Sequence, residues 1–583
     1  MRGLCGKLQL DTPQAALQWL VPPAQSFRDD VRPTRIYLHG RVDAIRDQIN
    51  RTPVPLAQLA LAYERWGSAP SSFAERLSGD FILIVVLEAS GETLFIRDPL
   101  GIEPFYYSTV DQTLRFGTEL RNVHSGDERL NEGFIAEWLS VTMMTRSETI
   151  FSGVHRLPPG SLLRAIRGKV SVERYWYPER APELKTQNSA ELQQRFTFLL
   201  EQAVARRLSE GTAAAELSGG LDSSTVACLG KRINGLSKAF SLVFNQRECA
   251  EREHASVVAK HAGLEWHPIE AGDVSLESLR QYIREHHTLP LHPTSAVSLP
   301  MLAAMSASGC KIALSGQGGD DLLTGSTHYP AEQLVSGAWL DFINDARSGP
   351  DAPGVWRQLR KAMSILLRKS AARDLGCVSA ELARSTKLAE RLKLPEPPER
   401  WNDYCRRDLF AEICGGFLAS SLEEQALVYG NCGLSGRHPF YDRDLYEFCL
   451  VLPEHERQSR RVGKQILRRA VKGLVPDSIL AREDKAEFSH LLASVLAQAD
   501  ADGALKLPQL RRTNWVSAEI VSSLLDDYRH QLQQPDGRKA SVLNRLWTLL
   551  ALELFLQEMP RLSRSINGSD APVRREDLQN VGI

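Results

Sequence analysis

At 583 residues the chain is long enough for two or more domains, each with a sizeable core. Its 43% hydrophobic and 24% charged residues are those of an ordinary soluble globular protein, and a net charge of −1 argues against a general nucleic-acid binder. The nine cysteines are dispersed, without a C-x-x-C pair or metal-like spacing, which fits reduced thiols in a cytoplasm. No signal peptide is legible, and the longest obvious apolar run, Phe81 to Leu87, is strand-sized. The expectation is a cytoplasmic protein without a membrane span.

Residues 1 to 185 read as a β-rich domain. Ile36-Tyr37-Leu38, Phe81 to Leu87 and Thr93 to Ile96 are short apolar runs separated by Gly, Asp and Pro turns, and Leu56 to Trp66 reads as a helix. Leu77-Ser78-Gly79-Asp80-Phe81 is followed by Arg97-Asp98-Pro99-Leu100-Gly101-Ile102-Glu103-Pro104-Phe105-Tyr106-Tyr107 and then Phe116-Gly117-Thr118-Glu119-Leu120. Together these strings resemble the class II glutamine amidotransferase domain of asparagine synthetases. Leu157-Pro158-Pro159-Gly160 and Arg174-Tyr175-Trp176 resemble its end. The resemblance implies an Ntn-hydrolase-like αββα sandwich.

The resemblance fails where glutaminase chemistry would sit. That family uses the thiol of an N-terminal cysteine, with its own α-amine as base. Met1-Arg2-Gly3-Leu4 places Arg2 there, and Cys5 would need four residues removed. The His-Arg-Gly-Pro-Asp and Asn-Gly-Glu segments that cradle glutamine are replaced by Leu38-His39-Gly40-Arg41-Val42-Asp43. The domain is read as a retained fold without glutaminase activity, so the attacking nitrogen is an amine already on the substrate.

A second domain is expected over residues 189–562, with a loose polar tail over 563–583. Asn188 with Glu191 marks a helix start, and Ala190 to Leu208 is helical in period. Ala213 to Leu217 reads as a buried strand, Ser218-Gly219-Gly220-Leu221-Asp222-Ser223-Ser224 as a turn, and Thr225 to Ile233 as a helix. A strand feeding a Gly/Ser turn at a helix N-terminus gathers free backbone N–H groups around one point, with the helix dipole behind them; that is an anion site. Asp222 would repel a bare phosphate, so its presence predicts an intervening Mg²⁺. A lone Ser-Gly-Gly is an ordinary turn. The whole string resembles the pyrophosphate loop of the N-type ATP pyrophosphatases, the asparagine synthetase superfamily, and lacks the Walker A pattern. Such a loop grips the leaving pyrophosphate, which implies adenylation rather than phosphorylation.

Beyond it, Ala239 to Phe244 and Trp266 to Ile269 read as strands and Arg252 to Gly263 as a helix, so a doubly wound parallel sheet is expected and the fold class is multi-domain α/β. Lys311 to Leu314 is again a strand entering a Gly-rich turn, Ser315-Gly316-Gln317-Gly318-Gly319-Asp320-Asp321. It resembles the superfamily's Ser-Gly-Glu-Gly-x-Asp-Glu element, which places Asp320 on its second Mg²⁺ ligand. Gln317 replaces a glutamate that handles the incoming nitrogen in asparagine synthetases, and an amide takes no proton. Trp356 to Arg373 is a basic helical stretch, read as a solvated face or else as a dock for an acidic leader segment or a partner, and residues 500 to 562 read as helical. Arg437-His438-Pro439-Phe440-Tyr441-Asp442 resembles a segment that braces the site wall. Gly463-Lys464-Gln465-Ile466-Leu467-Arg468 and Arg482 to Ser489 resemble the series that carries the family's catalytic lysine, here Lys485.

The resemblance thus implies catalysis by Lys485, Asp222 and Asp320, with Mg²⁺ on the two aspartates. It implies ATP binding by Leu217, Ser218, Gly219, Gly220, Leu221, Asp222, Ser223, Ser224, Val243, Ser315, Gly316, Lys464 and Lys485. Glu285 to Thr294 is read as lining an acceptor pocket, with Gln317, His292, Pro293 and Thr294 as substrate-facing candidates and a metal disfavoured for its histidines. Glu423, Glu424 and Glu487 are unranked candidates for the general base. Among amidotransferase-dead relatives the chain is most similar to the lasso-peptide cyclases, which close a macrolactam between an Asp or Glu side chain and a peptide's N-terminal amine. Their partners are a precursor peptide, a leader peptidase, a leader-binding protein and an exporter. An asparagine synthetase, a β-lactam-forming synthetase and a non-catalytic nucleotide-binding scaffold are the rival readings.

Overall fold

The structure, a computed structural model, describes residues 3–10, 16–29, 34–46, 53–185, 188–208, 211–233, 235–244, 251–271, 274–292, 294–348, 354–367, 375–394, 396–401, 403–460, 462–482, 489–532 and 540–559. Arg2, Pro293, Lys485, Glu487, residues 368–373 of the basic stretch and the tail from Ser563 lie outside them.

Eleven strands build the first domain: β1 (Cys5–Gln9), β2 (Ala16–Val21), β3 (Gln25–Asp29), β4 (Thr34–Ile45), β5 (Leu77–Leu87), β6 (Glu92–Arg97), β7 (Tyr106–Val110), β8 (Thr113–Gly117), β9 (Val154–Arg156), β10 (Ser161–Ile166) and β11 (Lys169–Arg174). They form two antiparallel sheets, in the orders β2-β1-β8-β7-β9 and β11-β10-β6-β5-β4-β3. β5 shows why its sequence is apolar throughout rather than alternating. Ile82, Ile84 and Val86 face the layer between the sheets, while Phe81, Leu83 and Val85 face helix α1 (Leu56–Trp66), so both faces are buried. The short helix α2 (Pro70–Ala74) packs beside α1, and α3 (Glu132–Leu139) belongs to the core on the other side of the sandwich.

The second domain opens with α4 (Ser189–Arg207), capped by Asn188, whose side chain accepts from the N–H groups of Ala190 and Glu191 at 2.9 and 3.3 Å. Then follow β12 (Ala213–Glu216), α5 (Leu221–Arg232), β13 (Lys238–Val243), α6 (Glu251–Ala262), β14 (Glu265–Glu270), α7 (Leu276–His286), α8 (Thr294–Ala307), β15 (Ile312–Leu314) and, much later, β16 (Ser435–Arg437). The five strands are parallel, in the order β14-β13-β12-β15-β16. Ala213 and Ala215 face the core shared with α4, α5 and α6, and Ala214 faces α8 and the helix Gly416–Asn431. The chain leaves β12 toward β13 on one side and returns as β15 on the other. The carboxyl ends of β12 and β15 therefore flank the switch point where such sheets bind ligands.

Two expectations change. α5 begins at Leu221, four residues earlier than the sequence predicts, so Asp222, Ser223 and Ser224 lie in its first turn. Residues 500 to 562 are not continuously helical: helix Ser489–Ala501 gives way to the short turns Ala504–Lys506 and Leu510–Arg512 before helices Ala518–Leu532 and Ala540–Glu558. These helices join α3, α7 and Trp138 in one core, with Trp515 and Leu546 fully buried, so the two sequence domains share it. Between them Glu423 is buried among Arg97 (3.1 Å), Arg156 (2.7 Å) and the Tyr106 hydroxyl (3.0 Å). Among the described residues no helix is long and apolar enough to cross a membrane.

Candidate active site

Two Gly-rich turns meet at the switch point. After β12, Gly219 sits at φ +77° against α6, where an added Cβ would lie 2.6 Å from His254 Cβ, so the turn needs glycine. The hydroxyls of Ser218 and Ser223 are 2.9 Å apart across the turn, and Gly220 N–H donates to Ser218 Oγ at 3.3 Å. After β15, the second turn presses against the first. A Cβ on Gly316 would strike the Ser223 backbone, and one on Gly319 would lie 2.5 Å from Asp222 Cγ.

This contact brings the two predicted metal ligands together around one cation. The Lys464 ammonium touches Asp222 Oδ2 and lies 2.7 Å from Asp320 Oδ1. Lys464 is buried and left-handed at φ +62°, and its N–H donates to Leu323 O at 2.9 Å. Burial works against its charge, but Asp222 and Asp320 outweigh that and raise its pKa above the usual lysine value. The pair thus already holds positive charge between two carboxylates, one half-exposed, which is the donor set and polarity a Mg²⁺ needs.

The turns open into a cavity of about 1260 Å³. Of the residues expected to bind ATP, metal or substrate, Leu217, Ser218, Gly220, Leu221, Asp222, Ser223, Ser315, Gly316, Gln317, Asp320, Lys464 and His292 line it. Ser224 does not: it is fully buried beneath the first turn of α5, and its N–H donates to Gly220 O. Gly219 and Val243 are likewise packed away from the lining, although Gly219 O accepts from Arg482 at 3.3 Å and the neighbours of Val243, Leu242 and Phe244, reach the cavity. Lys485 and Pro293 lie outside the described residues, as does the side chain of Thr294.

The histidine segment is also corrected. Among the described residues of the segment only His292 reaches the cavity, with the ring kept neutral because burial lowers its pKa. His286 bonds Asn431 at 2.8 Å, and His287 bonds His124 of the first domain at 2.6 Å. Of the base candidates, Glu423 is taken up by Arg97, Arg156 and Tyr106 and does not line the cavity. Glu424 lines it, with Oε1 accepting from Leu291 N–H at 2.8 Å; Glu487 lies outside the described residues. The Arg437–Asp442 segment is tied to α4 and does not itself line the cavity: Arg437 donates to Arg207 O at 2.8 Å, and Asp442 accepts from Arg207 at 2.9 Å.

The sequence reading missed the far side of this cavity. Arg357 and Lys361, on helix Val355–Leu366, face into it rather than only toward water. It also missed Glu216 and Tyr429, whose signal was a carboxylate at the end of a three-alanine strand, where an apolar residue is expected.

A parallel sheet whose switch point joins two glycine-rich turns, an acid from each and a buried lysine defines an ATP-dependent amide ligase. The chain belongs to the asparagine synthase family: that family's profile matches residues 195–557, and a glutamine amidotransferase domain profile matches residues 57–176. The glutamine-hydrolysing asparagine synthetase 1 of Bacillus subtilis is 22% identical over 83% of this chain and 78% of its own length. A putative glutamine-hydrolysing asparagine synthetase of Mycobacterium tuberculosis is 25% identical over 72% of this chain and 68% of its own. Among solved structures, an ammonia-dependent NAD synthetase from Campylobacter jejuni is similar over 36% of this chain and 100% of its own, at 20% identity and a TM-score of 0.18.

Proposed function

We propose that the protein closes a macrolactam on a peptide, joining an Asp or Glu side chain to the peptide's own N-terminal amine through an acyl-adenylate, as lasso-peptide cyclases do. The observation that carries this is the cavity. At about 1260 Å³ it exceeds the roughly 300–1,000 Å³ of ordinary small-molecule pockets, and it runs from Asp222 past Gln317 to Arg357 and Lys361. It has room for a nucleotide and a folded-back peptide together, with cationic groups at the outer end for peptide carboxylates.

In this reading the peptide carboxylate attacks the α-phosphorus of ATP while the turn at Ser218–Ser223 holds the pyrophosphate. A Mg²⁺ held by Asp222 and Asp320 would neutralise phosphate charge there. Lys464 places an ammonium beside the leaving pyrophosphate, and Lys485 serves the oxyanion formed when the amine attacks the acyl carbon. Holding both groups of one molecule supplies a large effective molarity. The thiol of Cys5 is buried in β1 and its pKa is raised by that burial, so it is unsuited to glutamine attack, which favours a substrate that brings its own amine. The partners are then a precursor peptide, a leader peptidase, a leader-binding protein and an exporter.

A second reading, asparagine synthesis, is favoured by the names of the relatives. ATP–pyrophosphate exchange separates the two. Exchange stimulated by a leaderless precursor peptide and not by free aspartate is expected; the reverse pattern refutes macrolactam closure.

A further inference from the structure

We propose that Glu216, held by Tyr429, is the general base that takes the proton from the attacking amine. This rests on the amide-forming reading above and supplies the group it lacks.

Strand alternation places Glu216 on the same face of β12 as Ala214, the face covered by α8 and the helix Gly416–Asn431. It stands at the carboxyl end of the central strand, two residues before Ser218 of the pyrophosphate turn. The Tyr429 hydroxyl donates to Glu216 Oε1 at 2.7 Å, and both residues line the main cavity. The Tyr429 ring packs against β16 at Gly436, where an added Cβ would lie 2.3 Å from it, so the sheet holds the ring in place. Tyr429 also borders a second cavity of about 350 Å³ between the domains, lined by Gly3, Glu103, Thr118 and Glu119. Tyr429 therefore stands in the wall between the two chambers, with Glu216 on the main-cavity side.

The groups around it leave the carboxylate uncompensated. From the turn after β15 come Ser315 and Gln317. Behind Ser315 stands His438, whose Nδ1 is 2.7 Å from Ser315 Oγ and whose pKa burial lowers to about 4, so it is neutral. Neutral His292, the Glu424 carboxylate and the cations Lys464, Arg468, Arg482, Arg357 and Lys361 share the cavity, but the Glu216 carboxyl responds only to burial and to Tyr429. Glu216 is half-buried, with the Tyr429 hydroxyl on its Oε1, and it lines the cavity. Burial pushes its carboxyl up to about 7, and the Tyr429 bond, which favours the charged form, only partly opposes this. A peptide α-amine titrates near 7.7–8.0, so the two are matched within about one pH unit. A carboxylate without a cation is a costly way to fill this position, since Gln or Leu would serve packing better.

The step balances. One proton of the substrate ammonium passes to the free Oε of Glu216, and the nitrogen lone pair then bonds to the acyl carbon. The carbon–oxygen bond to AMP breaks, AMP leaves with its electron pair, and the second nitrogen proton goes to water.

The test uses Glu216→Gln, which keeps an acceptor for Tyr429, beside Tyr429→Phe. Three rates are read: peptide-stimulated ATP–pyrophosphate exchange, trapping of the acyl-adenylate by the weakly basic hydroxylamine, and ring closure across pH. For Glu216→Gln we expect exchange and trapping within about twofold of wild type, ring closure slowed by ~10²–10⁴, and the acid limb near pH 7 abolished. Tyr429→Phe, having lost the bond that favours the anion, should shift that limb to higher pH. Ring closure at the wild-type rate with an unchanged limb, or trapping that falls in parallel with closure, overturns the assignment. Absence of exchange in the wild-type protein with peptide overturns the amide-forming reading itself.

Discussion

Replacing Lys464 by methionine keeps the length of the side chain and deletes only its ammonium. In the structure that ammonium, on a side chain 11% exposed, is shared between Asp222, 14% exposed, and Asp320, 52% exposed. Breaking a buried pair by removing one partner costs about 3–5 kcal/mol, because the remaining charge stays buried. The Asp320 half is solvated and contributes little, so the lower end, about 3 kcal/mol, applies. At about 2.1 cal/mol/K of unfolding entropy per residue, over a domain of this size that is a fall in melting temperature of about 4 °C. The sign with pH follows from the raised pKa: the stabilisation is whole below the ordinary lysine value and is lost as pH rises through the higher folded one. Thermal melts of wild type and Lys464→Met should therefore differ by a constant amount from pH 6 to 9 and converge at strongly alkaline pH. Adding Asp222→Asn should recover at least about 1 kcal/mol, because the stranded carboxylate is then gone. Exchange activity of Lys464→Met should fall ~10²–10³-fold, the usual effect of losing one preorganised charge. A variant as stable as wild type, or Lys464→Met and Asp222→Asn effects that simply add, would refute the coupling.

Glu423→Ala leaves Arg97 and Arg156 buried without their carboxylate, and should cost about 3–5 kcal/mol in urea unfolding and loosen the domain interface to proteolysis. Glu216→Gln should be more stable than wild type above pH 7 and no different below pH 4.5, because a raised folded pKa makes the ionised carboxylate a liability only as pH climbs; equal melts at pH 8 would contradict the burial argument. Cys5→Ser should leave ATP-dependent activity within about twofold of wild type, and glutamine should yield no glutamate from either protein; glutamate release lost in the variant would restore a glutaminase.

Much of the fold was legible because its segments carry one dominant signal. Leu56–Trp66 is helical by period, Asn188 announces α4, and Phe81 to Leu87 in β5 is an unbroken apolar run. The start of α5 was misread because Asp222, Ser223 and Ser224 look like turn residues, yet Asp and Ser are at home in a first helical turn, where free N–H groups await acceptors. The meeting of Asp222, Asp320 and Lys464 was foreseeable only by resemblance, since the three are drawn together from sequence distances of 98 and more by loop packing that no local pattern encodes. Arg357 and Lys361 read as solvated because a basic helix usually is; that they face a cavity depends on how Val355–Leu366 packs on the helices Tyr329–Val335 and Trp339–Arg347. Glu216 and Tyr429, 213 residues apart, could not be paired from sequence.

The measurement that bears most directly on the account is mass spectrometry of the purified protein incubated with Mg-ATP. One tube receives a leaderless linear precursor peptide encoded beside the gene, and the other receives aspartate with ammonium. The account predicts that the peptide loses the mass of one water while AMP and pyrophosphate appear, and that no asparagine forms. Asparagine in the second tube with an unchanged peptide in the first would contradict it.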